Sequence, residues 1–347
     1  MIGVGIVGYG YAGRVFHSAL VERAPGLALR AVLARNPALR EQAARERAVP
    51  TYAALDEFLA DPAIELVVVA TPHDTHAAIA VAALEAGKHV VVDKPLAITL
   101  AEADRMVDAA RRHGRMLSAF HNRRWDWDFL TIKRVLAGGL LGKPYLFETA
   151  VLNYREPRMT WRATSATIGS LVHEWGAHLV DHALLLVPAP VARVSCRITR
   201  PRPLPEIGNY ARLDLTFADG TLYAIETGNL ARLPKPRWYI LGDEGSLVKQ
   251  GLDPQERAFL RTGNPDDAAE LPEERARVAT VAAGLPAEIV VESVRGSWTG
   301  YYANVSAHLN EGAPLEVTAE QAREVIRVLD AAVRAAASGE VIDLAAS

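Results

Sequence analysis

The sequence predicts an α/β protein, with a doubly wound parallel sheet in an N-terminal domain and an open, mainly antiparallel sheet in a C-terminal α+β domain. Continuous apolar runs alternate with helical patterns up to residue 121, as in parallel sheets. Beyond that point, short alternating runs are separated by turn residues, as in antiparallel sheets. We therefore expect domains over residues 1–121 and 122–347.

The first predicted strand, within IGVGIVGYGYAGRVF, leads into three glycines with the spacing of a dinucleotide-binding turn. Gly8 would allow the tight turn, Gly10 would let the backbone approach a pyrophosphate, and Gly13 would let the helix pack closely. The helix N-terminus would attract the phosphates. A glycine turn that binds nothing is the alternative, but the preceding strand favours a dinucleotide-binding site. The intervening residues predicted to contact the cofactor are Tyr9, Tyr11 and Ala12.

The second predicted strand, over residues 27–34, ends in Arg35-Asn36-Pro37. NAD-binding folds usually place an acid there for the ribose 2′-hydroxyl, whereas an arginine accommodates a 2′-phosphate. Residues 27–40 contain no acid. We therefore expect NADP rather than NAD, with Arg35 beside the 2′-phosphate. The alternative is that Arg35 is a solvated loop charge.

The rest of the first domain continues the alternation. Its predicted elements are helices over 14–23, 38–48 and 75–86, strands over 65–70, 88–92 and 115–120, and a helix with a capping box at Thr99 and Glu102. Because ligands bind at the carboxyl ends of parallel strands, residues at these ends are candidates for cofactor binding. They are Thr71, Pro72, His73, His76, Asp93, Lys94, Asn122 and Arg123.

Lys94 is the first candidate for chemistry. Pro95 disfavours a helical conformation for Lys94 and holds it extended at the end of a predicted strand. There the ammonium could hydrogen-bond the reacting oxygen and stabilise developing negative charge. An exposed loop lysine is the alternative, and spacing alone does not decide between them.

The second domain combines helices with an antiparallel sheet. Its predicted elements are helices over 127–138, 170–186 and 318–337, a short helix after Asp253-Pro254, strands over 144–154, 192–198, 210–217, 221–227, 237–241, 246–250 and 341–344, and a loop over 262–287. Asp219-Gly220 predicts a hairpin. The late helix could pack back on the first domain.

The helix predicted over 170–186 would place Glu174, His178 and Asp181 on one face, at i, i+4 and i+7. Such a face suits a catalytic site, a metal site or a salt-bridged surface. His173 and His178, five residues apart, do not form the zinc pattern of His-Glu-x-x-His, so we expect no metal. We expect Asp181 to be structural.

The bulk composition narrows the classes of function. Charged residues are 23% of the chain and the net charge is −3, so we expect no nucleic-acid partner. The one cysteine, Cys196, fits a reducing compartment and a buried strand position. The sequence has no signal-peptide pattern and no apolar run of about 18 residues, so we expect a cytoplasmic protein without a membrane span.

Three segments carry a resemblance to a known family: GYGYAG, ATPHDTHAAIAVAALEAGKHVVVDKP and GSLVHEWGAHLVDHALLL. The chain resembles the Gfo/Idh/MocA family of sugar and cyclitol oxidoreductases over essentially its whole length. FHNRRWDWDFLTIK, Trp161-Arg162 and GLDPQERAFL most resemble its NADP-dependent scyllo-inositol 2-dehydrogenase branch. The sheet of the second domain forms the dimer interface in many relatives, so the resemblance implies a homodimer or homotetramer.

The resemblance also implies roles for residues. The family's catalytic lysine corresponds to Lys94, its catalytic histidine to His178, and its catalytic aspartate to Glu174, which is one methylene longer. His173 stands where the branch usually has tyrosine. Residues predicted to bind the substrate include Lys94, His173, Glu174 and His178. Further residues are candidates for the pocket wall, each with interdomain packing or a salt bridge as its alternative: Asn122, Arg123, Arg124, Tyr154, Arg155, Trp161 and Arg162.

The predicted activity is hydride transfer between NADP, or NAD, and a secondary alcohol or ketone of a cyclitol or sugar. His178 would act as general base and acid. Two alternatives remain: a non-catalytic NAD(P)-sensing regulator on the same fold, and a glycosidase that uses nicotinamide in a redox cycle. The presence of Lys94 and His178 together favours the enzyme over the regulator.

Overall fold

The structure, a computed structural model, describes residues 1–156, 160–203 and 205–345. The chain divides into two compact units. The first comprises Met1–Asn122 and Trp298–Ile326, and the second comprises Arg123–Ser297 and Arg327–Ser347. Among the described residues, none of the helices is both long and apolar enough to cross a membrane.

The first unit contains a six-stranded parallel sheet. Its strands are β1 (Ile2–Val7), β2 (Leu27–Leu33), β3 (Thr51–Tyr52), β4 (Leu66–Val69), β5 (His89–Val92) and β6 (Leu117–Ala119). Its helices before residue 122 are α1 (Ser18–Arg23), α2 (Pro37–Arg47), α3 (Leu55–Ala60), α4 (His76–Glu85) and α5 (Leu100–His113). The strand order is β3-β2-β1-β4-β5-β6, which confirms the predicted doubly wound sheet.

Burial explains why the apolar runs form this sheet. Every residue of β4 is buried, as expected for a parallel strand covered on both faces. The first helix differs from its prediction, because a π-helical turn over Ala12–His17 precedes α1. The short elements β3 and α3 were not predicted.

The second unit contains a nine-stranded sheet. In chain order the remaining elements are α6 (Trp127–Ala137), β7 (Pro144–Leu152), α7 (Ser165–Ile168), α8 (Gly176–Leu186), β8 (Val191–Thr199), β9 (Tyr210–Phe217), β10 (Leu222–Gly228), β11 (Trp238–Gly242), β12 (Gly245–Lys249), α9 (Gln255–Thr262), β13 (Ala276–Ala282), β14 (Leu285–Val291), α10 (Thr299–Glu311), α11 (Ala319–Ser338) and β15 (Ile342–Asp343). Helix α10 and the start of α11 belong to the first unit.

The order of the second sheet is β14-β13-β12-β11-β7-β10-β9-β8-β15. Strands β7 and β10 pair in parallel, and the other pairs are antiparallel, which confirms the mainly antiparallel prediction. Gly220, with φ +90°, turns the chain between β9 and β10 as predicted. Helix α8 packs against β10.

The two faces of this sheet differ in exposure. Phe147 and Tyr223 are paired across β7 and β10 and are buried. The register row on the opposite face contains Tyr239, Arg277 and Val290, all exposed. The alternation along each strand therefore buries one face of the sheet and leaves part of the other open.

The predicted loop over 262–287 is wrong, because β13 and β14 form a hairpin across its second half. The chain reverses at Ala283 and Gly284, both with positive φ. The segment ARVATVA does alternate, with Ala276 and Val278 buried. Alanine is a weak strand former, so its apolar alternation gave little signal.

The predicted start of the helix at residue 170 is also wrong. Leu171–His173 form a 3₁₀ turn, and α8 begins only at Gly176. A glycine inside a helix costs about 1 kcal/mol relative to alanine, which favours a helix start there. Glu174 consequently precedes α8, and the single helical face predicted for Glu174, His178 and Asp181 is not formed.

Candidate active site

The glycine turn has the geometry that a cofactor loop requires. Gly8 has φ +98°, and a Cβ there would lie 2.5 Å from the carbonyl oxygen of Ala70. A Cβ on Gly13 would lie 2.0 Å from the carbonyl oxygen of Gly8, so only glycine lets the helix approach this closely. A Cβ on Gly10 would meet nothing within 4 Å. Gly10 therefore borders open space into which a pyrophosphate could fit.

The residues between these glycines point in different directions. Tyr9 is buried, and its hydroxyl donates to Glu46 Oε2 at 2.9 Å and accepts from Arg47 Nε at 3.2 Å. Its side chain thus joins β1 to α2, and only its backbone remains for a cofactor. Tyr11 is exposed, with its ring edge-on to Phe16. Ala12 is half-buried at the first position of the π-helical turn.

Arg35 lies exposed just after β2. The neighbouring Arg40 donates from Nη1 to the carbonyl oxygens of Ala34 and Arg35, both at 2.8 Å. Arg40 therefore holds the loop backbone, and Arg35 is the exposed cation that could meet a 2′-phosphate.

The segment after β4 is held by short polar contacts. The hydroxyls of Thr71 and Thr75 lie 2.6 Å apart. Pro72 is half-buried, and His73 is buried in the 3₁₀ turn that follows. His76 is buried and lies between two carbonyl oxygens, with Nδ1 2.9 Å from Pro95 and Nε2 3.0 Å from Thr71. Burial lowers the pKa of His76, against the raising effect of the Asp93 carboxylate.

Lys94 is half-buried directly after β5, and its peptide bond to Pro95 is cis. The backbone N–H of Lys94 donates to Asp93 Oδ1 at 2.9 Å. Burial alone would raise the pKa of Asp93, but His17, Lys94 and His76 together lower it well below its ordinary value. Asp93 is therefore an anion next to the predicted catalytic lysine. Asn122, also predicted to contact the cofactor, is buried. It is the last residue of the segment Met1–Asn122 of the first unit.

The second unit begins with Arg123 and Arg124, and both are buried in ion pairs. Arg123 Nη1 lies 3.0 Å from Asp126 Oδ2, and its guanidinium stacks 4.4 Å from the centre of the Trp175 ring. Arg124 donates to both oxygens of Asp181, at 2.8 and 2.6 Å. The bidentate pair gives Asp181 the structural role that the sequence predicts.

His178 and Glu174 lie near each other in the chain but in different settings. His178 is buried in the first turn of α8, with its ring 6.1 Å from that of Trp175. Glu174 precedes the helix, and its Oε1 lies 4.0 Å from Arg162 Nη1, with both side chains 27% exposed. The Arg162 guanidinium in turn stacks 4.4 Å from the Trp161 ring. His173 is buried in the preceding 3₁₀ turn.

Tyr154 and Arg155 are exposed after β7. The Tyr154 hydroxyl accepts from Arg202 Nη2 at 3.2 Å, and Arg232 stacks 3.8 Å from its ring centre. The Tyr154 side chain is therefore held by two arginines.

A cluster of acids in the second unit was not predicted. Asp126, Asp128 and Asp253 have oxygens within 4.8 Å of one another, all buried. Asp126 is paired with Arg123, and Arg237 Nε lies 3.0 Å from Asp128 Oδ2. Guanidinium groups thus already neutralise two of the three carboxylates. Motif spacing could not reveal the cluster, because Asp253 lies far along the chain from Asp126 and Asp128.

His182, another unpredicted residue, stacks on Phe129 at 4.1 Å, and its Nε2 lies 3.0 Å from the carbonyl oxygen of Arg123. Burial lowers the pKa of His182 to about 3. The ring is therefore neutral at ordinary pH and holds the backbone of Arg123.

Comparison with known proteins places both parts of the chain in one family. Residues 2–121 match the model of the oxidoreductase family with an NAD-binding Rossmann fold. Residues 129–248 match the model of the GFO/IDH/MocA C-terminal domain. The first match covers the glycine turn and Lys94, and the second covers Glu174 and His178.

Individual relatives agree. Scyllo-inositol 2-dehydrogenase (NADP(+)) IolW of Bacillus subtilis is 34% identical over 349 residues, covering 99% of this chain and 96% of its own. Myo-inositol 2-dehydrogenase of Thermotoga maritima is 28% identical over 192 residues, covering 55% of this chain and 56% of its own. The solved structure of yvaA from Bacillus subtilis superposes with a TM-score of 0.91 at 34% identity, covering 99% of this chain and 98% of that one. The chain therefore belongs to the Gfo/Idh/MocA family of NAD(P)-dependent oxidoreductases.

Proposed function

We propose that this oxidoreductase transfers a hydride between NADP and a secondary alcohol or ketone of a cyclitol or sugar. The observation that carries the proposal is Lys94, which follows a strand of the cofactor-binding sheet and has its backbone hydrogen-bonded to an anionic Asp93. The names of two relatives, which describe inositol dehydrogenases, support the substrate class.

The residues of the glycine turn fit a dinucleotide. Gly8 and Gly13 permit the tight turn and close packing, and the open space beside Gly10 leaves room for a pyrophosphate. Arg35 would hold a 2′-phosphate, since no acid stands at the end of β2 and Arg35 is exposed. The nicotinamide, when bound, supplies the hydride donor or acceptor.

The chain's own residues would handle the oxygen and its proton. Lys94 would donate a hydrogen bond to the reacting oxygen and stabilise its developing negative charge. His178 would take the proton from the alcohol during oxidation and return it during reduction. Glu174 would bind a neighbouring hydroxyl or assist the proton relay.

A panel of inositols and aldoses, assayed with NADP and NAD in parallel through the absorbance of reduced nicotinamide, tests the activity. We expect turnover with NADP preferred. A preference for NAD would refute the role of Arg35. Binding of NADP without turnover of any polyol or keto sugar would favour the regulator. Sugar released from an aryl glycoside without net nicotinamide change would favour the glycosidase.

The cofactor preference has its own test in Arg35→Ala. Loss of a charge-assisted contact is worth about 1.5–3 kcal/mol, so the KM for NADP should rise at least about tenfold. The KM for NAD should not change. Arg30→Ala, which removes an exposed arginine from β2, the strand before Arg35, is the matched control. An equal rise in both variants would contradict the assignment.

We also propose that the protein forms a homodimer or homotetramer through the open face of the nine-stranded sheet. The exposed side chains Tyr239 and Val290 on that face support this proposal. Light scattering after size exclusion should give an oligomer for the wild type and a smaller species for Tyr239→Glu. Leu233→Glu, at an exposed leucine of the connection before β11, is the control. A monomeric wild type would contradict the proposal.

A further inference from the structure

The backbone around Lys94 is held on both sides by ionisable residues, the half-buried Asp93 before it and the buried His76. Before it, Asp93 Oδ1 accepts the Lys94 N–H at 2.9 Å. After it, His76 Nδ1 lies 2.9 Å from the carbonyl oxygen of Pro95, while its Nε2 lies 3.0 Å from that of Thr71. These contacts fix the backbone from which the Lys94 side chain projects.

Behind Asp93 lies His17, from the π-helical turn. Its Nε2 is 3.6 Å from Asp93 Oδ1, and its Nδ1 is 2.7 Å from the hydroxyl of Tyr302 in α10. His17 and Tyr302 are fully buried, and the His17 ring packs 4.4 Å from that of Phe120. His17 therefore lies between Tyr302 and Asp93, and the three residues come from segments far apart in sequence.

The chemistry of the groups shows which atom donates and which accepts in each contact. A carboxylate only accepts, so the His17 Nε2 that faces Asp93 carries a hydrogen, and in the imidazole with a single N–H that hydrogen is on Nε2. Nδ1 then accepts the hydrogen of the Tyr302 hydroxyl. Burial raises the pKa of Tyr302 well above its ordinary value, so this hydroxyl keeps its proton.

We propose that Tyr302 and His17 are positioning residues for Lys94. Tyr302 sets the orientation of the His17 ring, His17 places its Nε2 3.6 Å from the Asp93 carboxylate, and Asp93 accepts the backbone N–H of Lys94. The catalytic consequence rests on the proposed function, because it requires that Lys94 act on the substrate. The positioning itself can be measured without substrate.

The neighbouring tyrosine provides a matched control. Tyr301 lies in the same helix and is equally buried, but its hydroxyl lies 2.8 Å from Ser118 Oγ. Tyr301→Phe and Tyr302→Phe each delete one buried hydroxyl from α10. If these hydroxyls served only the stability of the core, the two variants would behave alike.

The first measurement is NMR of the apoprotein after reductive methylation with ¹³C-formaldehyde. The chain has only six lysines, and Lys94→Arg identifies the Lys94 signal. We expect Tyr302→Phe to move or broaden the Lys94 signal and leave the other lysines unchanged, while Tyr301→Phe leaves the Lys94 signal in place. An unchanged Lys94 signal in Tyr302→Phe, or an equal change in both variants, would overturn the proposal.

The second measurement is steady-state kinetics with NADP and the polyol that the panel identifies. A small displacement of a catalytic group can cost a large factor in rate, so kcat of Tyr302→Phe should fall about tenfold with little change in the KM for NADP. Tyr301→Phe should keep the wild-type kcat. If Lys94 responds in the NMR experiment but no polyol is turned over, the proposed function fails and the positioning role stands.

If Tyr302→Phe does not fold, His17 provides a second comparison. His17→Gln keeps an N–H donor that can reach Asp93, whereas His17→Leu does not. We expect the Lys94 signal of His17→Gln to lie closer to the wild type than that of His17→Leu. Equal displacement in both variants would contradict the role of the His17 to Asp93 contact.

Discussion

The two units hold their candidate catalytic residues in different ways. In the first, Lys94 is bonded through its backbone to Asp93, whose other neighbour His17 is fully buried. In the second, Glu174 and Arg162 face each other at 4.0 Å, and solvent reaches both. A partly exposed pair at that distance contributes little stability. Changes in the first unit should therefore affect the chemistry or the fold, whereas changes at Glu174 should affect the choice of substrate.

The largest expected effect comes from removing the Lys94 ammonium. Loss of one donor to a developing oxyanion costs about 10²–10³ in kcat, so Lys94→Met should lose activity by this factor. NADP affinity and thermal stability should stay near wild type. Lys143→Met, at an exposed lysine, is the control. Activity within tenfold of wild type would remove Lys94 from the mechanism.

Substitutions at two glycines of the turn should separate an effect on stability from an effect on cofactor binding. Gly13→Ala places a Cβ 2.0 Å from a backbone oxygen, so it should destabilise the protein by about 3 kcal/mol in urea unfolding. Gly10→Ala meets nothing within 4 Å and should leave stability unchanged while weakening NADP binding about tenfold by calorimetry. Unchanged NADP binding in Gly10→Ala would show that the pyrophosphate does not pass there.

The same contrast explains how much the sequence could predict. The parallel sheet was predictable because its strands are continuous apolar runs, and so was the position of Lys94 after one of these strands. Tyr9 lies in a motif, yet its side chain is buried against α2, which the spacing could not reveal. The relation of His17 to Tyr302 was not predictable either, since 285 residues separate them and neither stands in a periodic pattern.

In the second unit, the wrong predictions of secondary structure fall where the local sequence pattern is weak. Apart from Arg277, the strand β13 is built from alanine, valine and threonine, and its neighbourhood is rich in proline and glycine. The start of α8 was misplaced because the 3₁₀ turn before it continues the apolar period of the helix. That error matters for the site, because it moves Glu174 off the helix that carries His178.

Glu174→Asp tests the expectation that the second unit determines the choice of substrate. The shorter side chain moves the carboxylate by about one methylene, and shifts of about 1 Å can cost about 100-fold. We expect the ratio of kcat/KM between members of the polyol panel to change 10- to 100-fold, with thermal stability unchanged. Glu288→Asp, at an exposed carboxylate paired with Arg277, is the control. Unchanged ratios would place Glu174 outside substrate recognition.

The smallest expected effect concerns pH, where the two units should respond with opposite sign. The pKa of Asp93 is lowered in the folded state, so its contribution to stability is present above its unfolded pKa and is lost as the pH falls. The pKa of Asp253 is raised to about 6 by burial and by the Asp128 carboxylate. Its contribution is complete below its unfolded pKa, near 4, and is lost as the pH rises through about 6.

Asp253→Asn should therefore remove a decline in the free energy of unfolding, on the order of 1 kcal/mol, that the wild type shows between about pH 4 and pH 6. Urea unfolding at several pH values measures the difference between the two curves, in which titrations common to both proteins cancel. Asp266→Asn, at an exposed aspartate, should follow the wild type. The opposite result is a wild-type free energy of unfolding that rises relative to that of Asp253→Asn over this range. It would mean that Asp253 is stabilised as an anion, as Asp93 is. The contrast between the two units would then not extend to these two carboxylates.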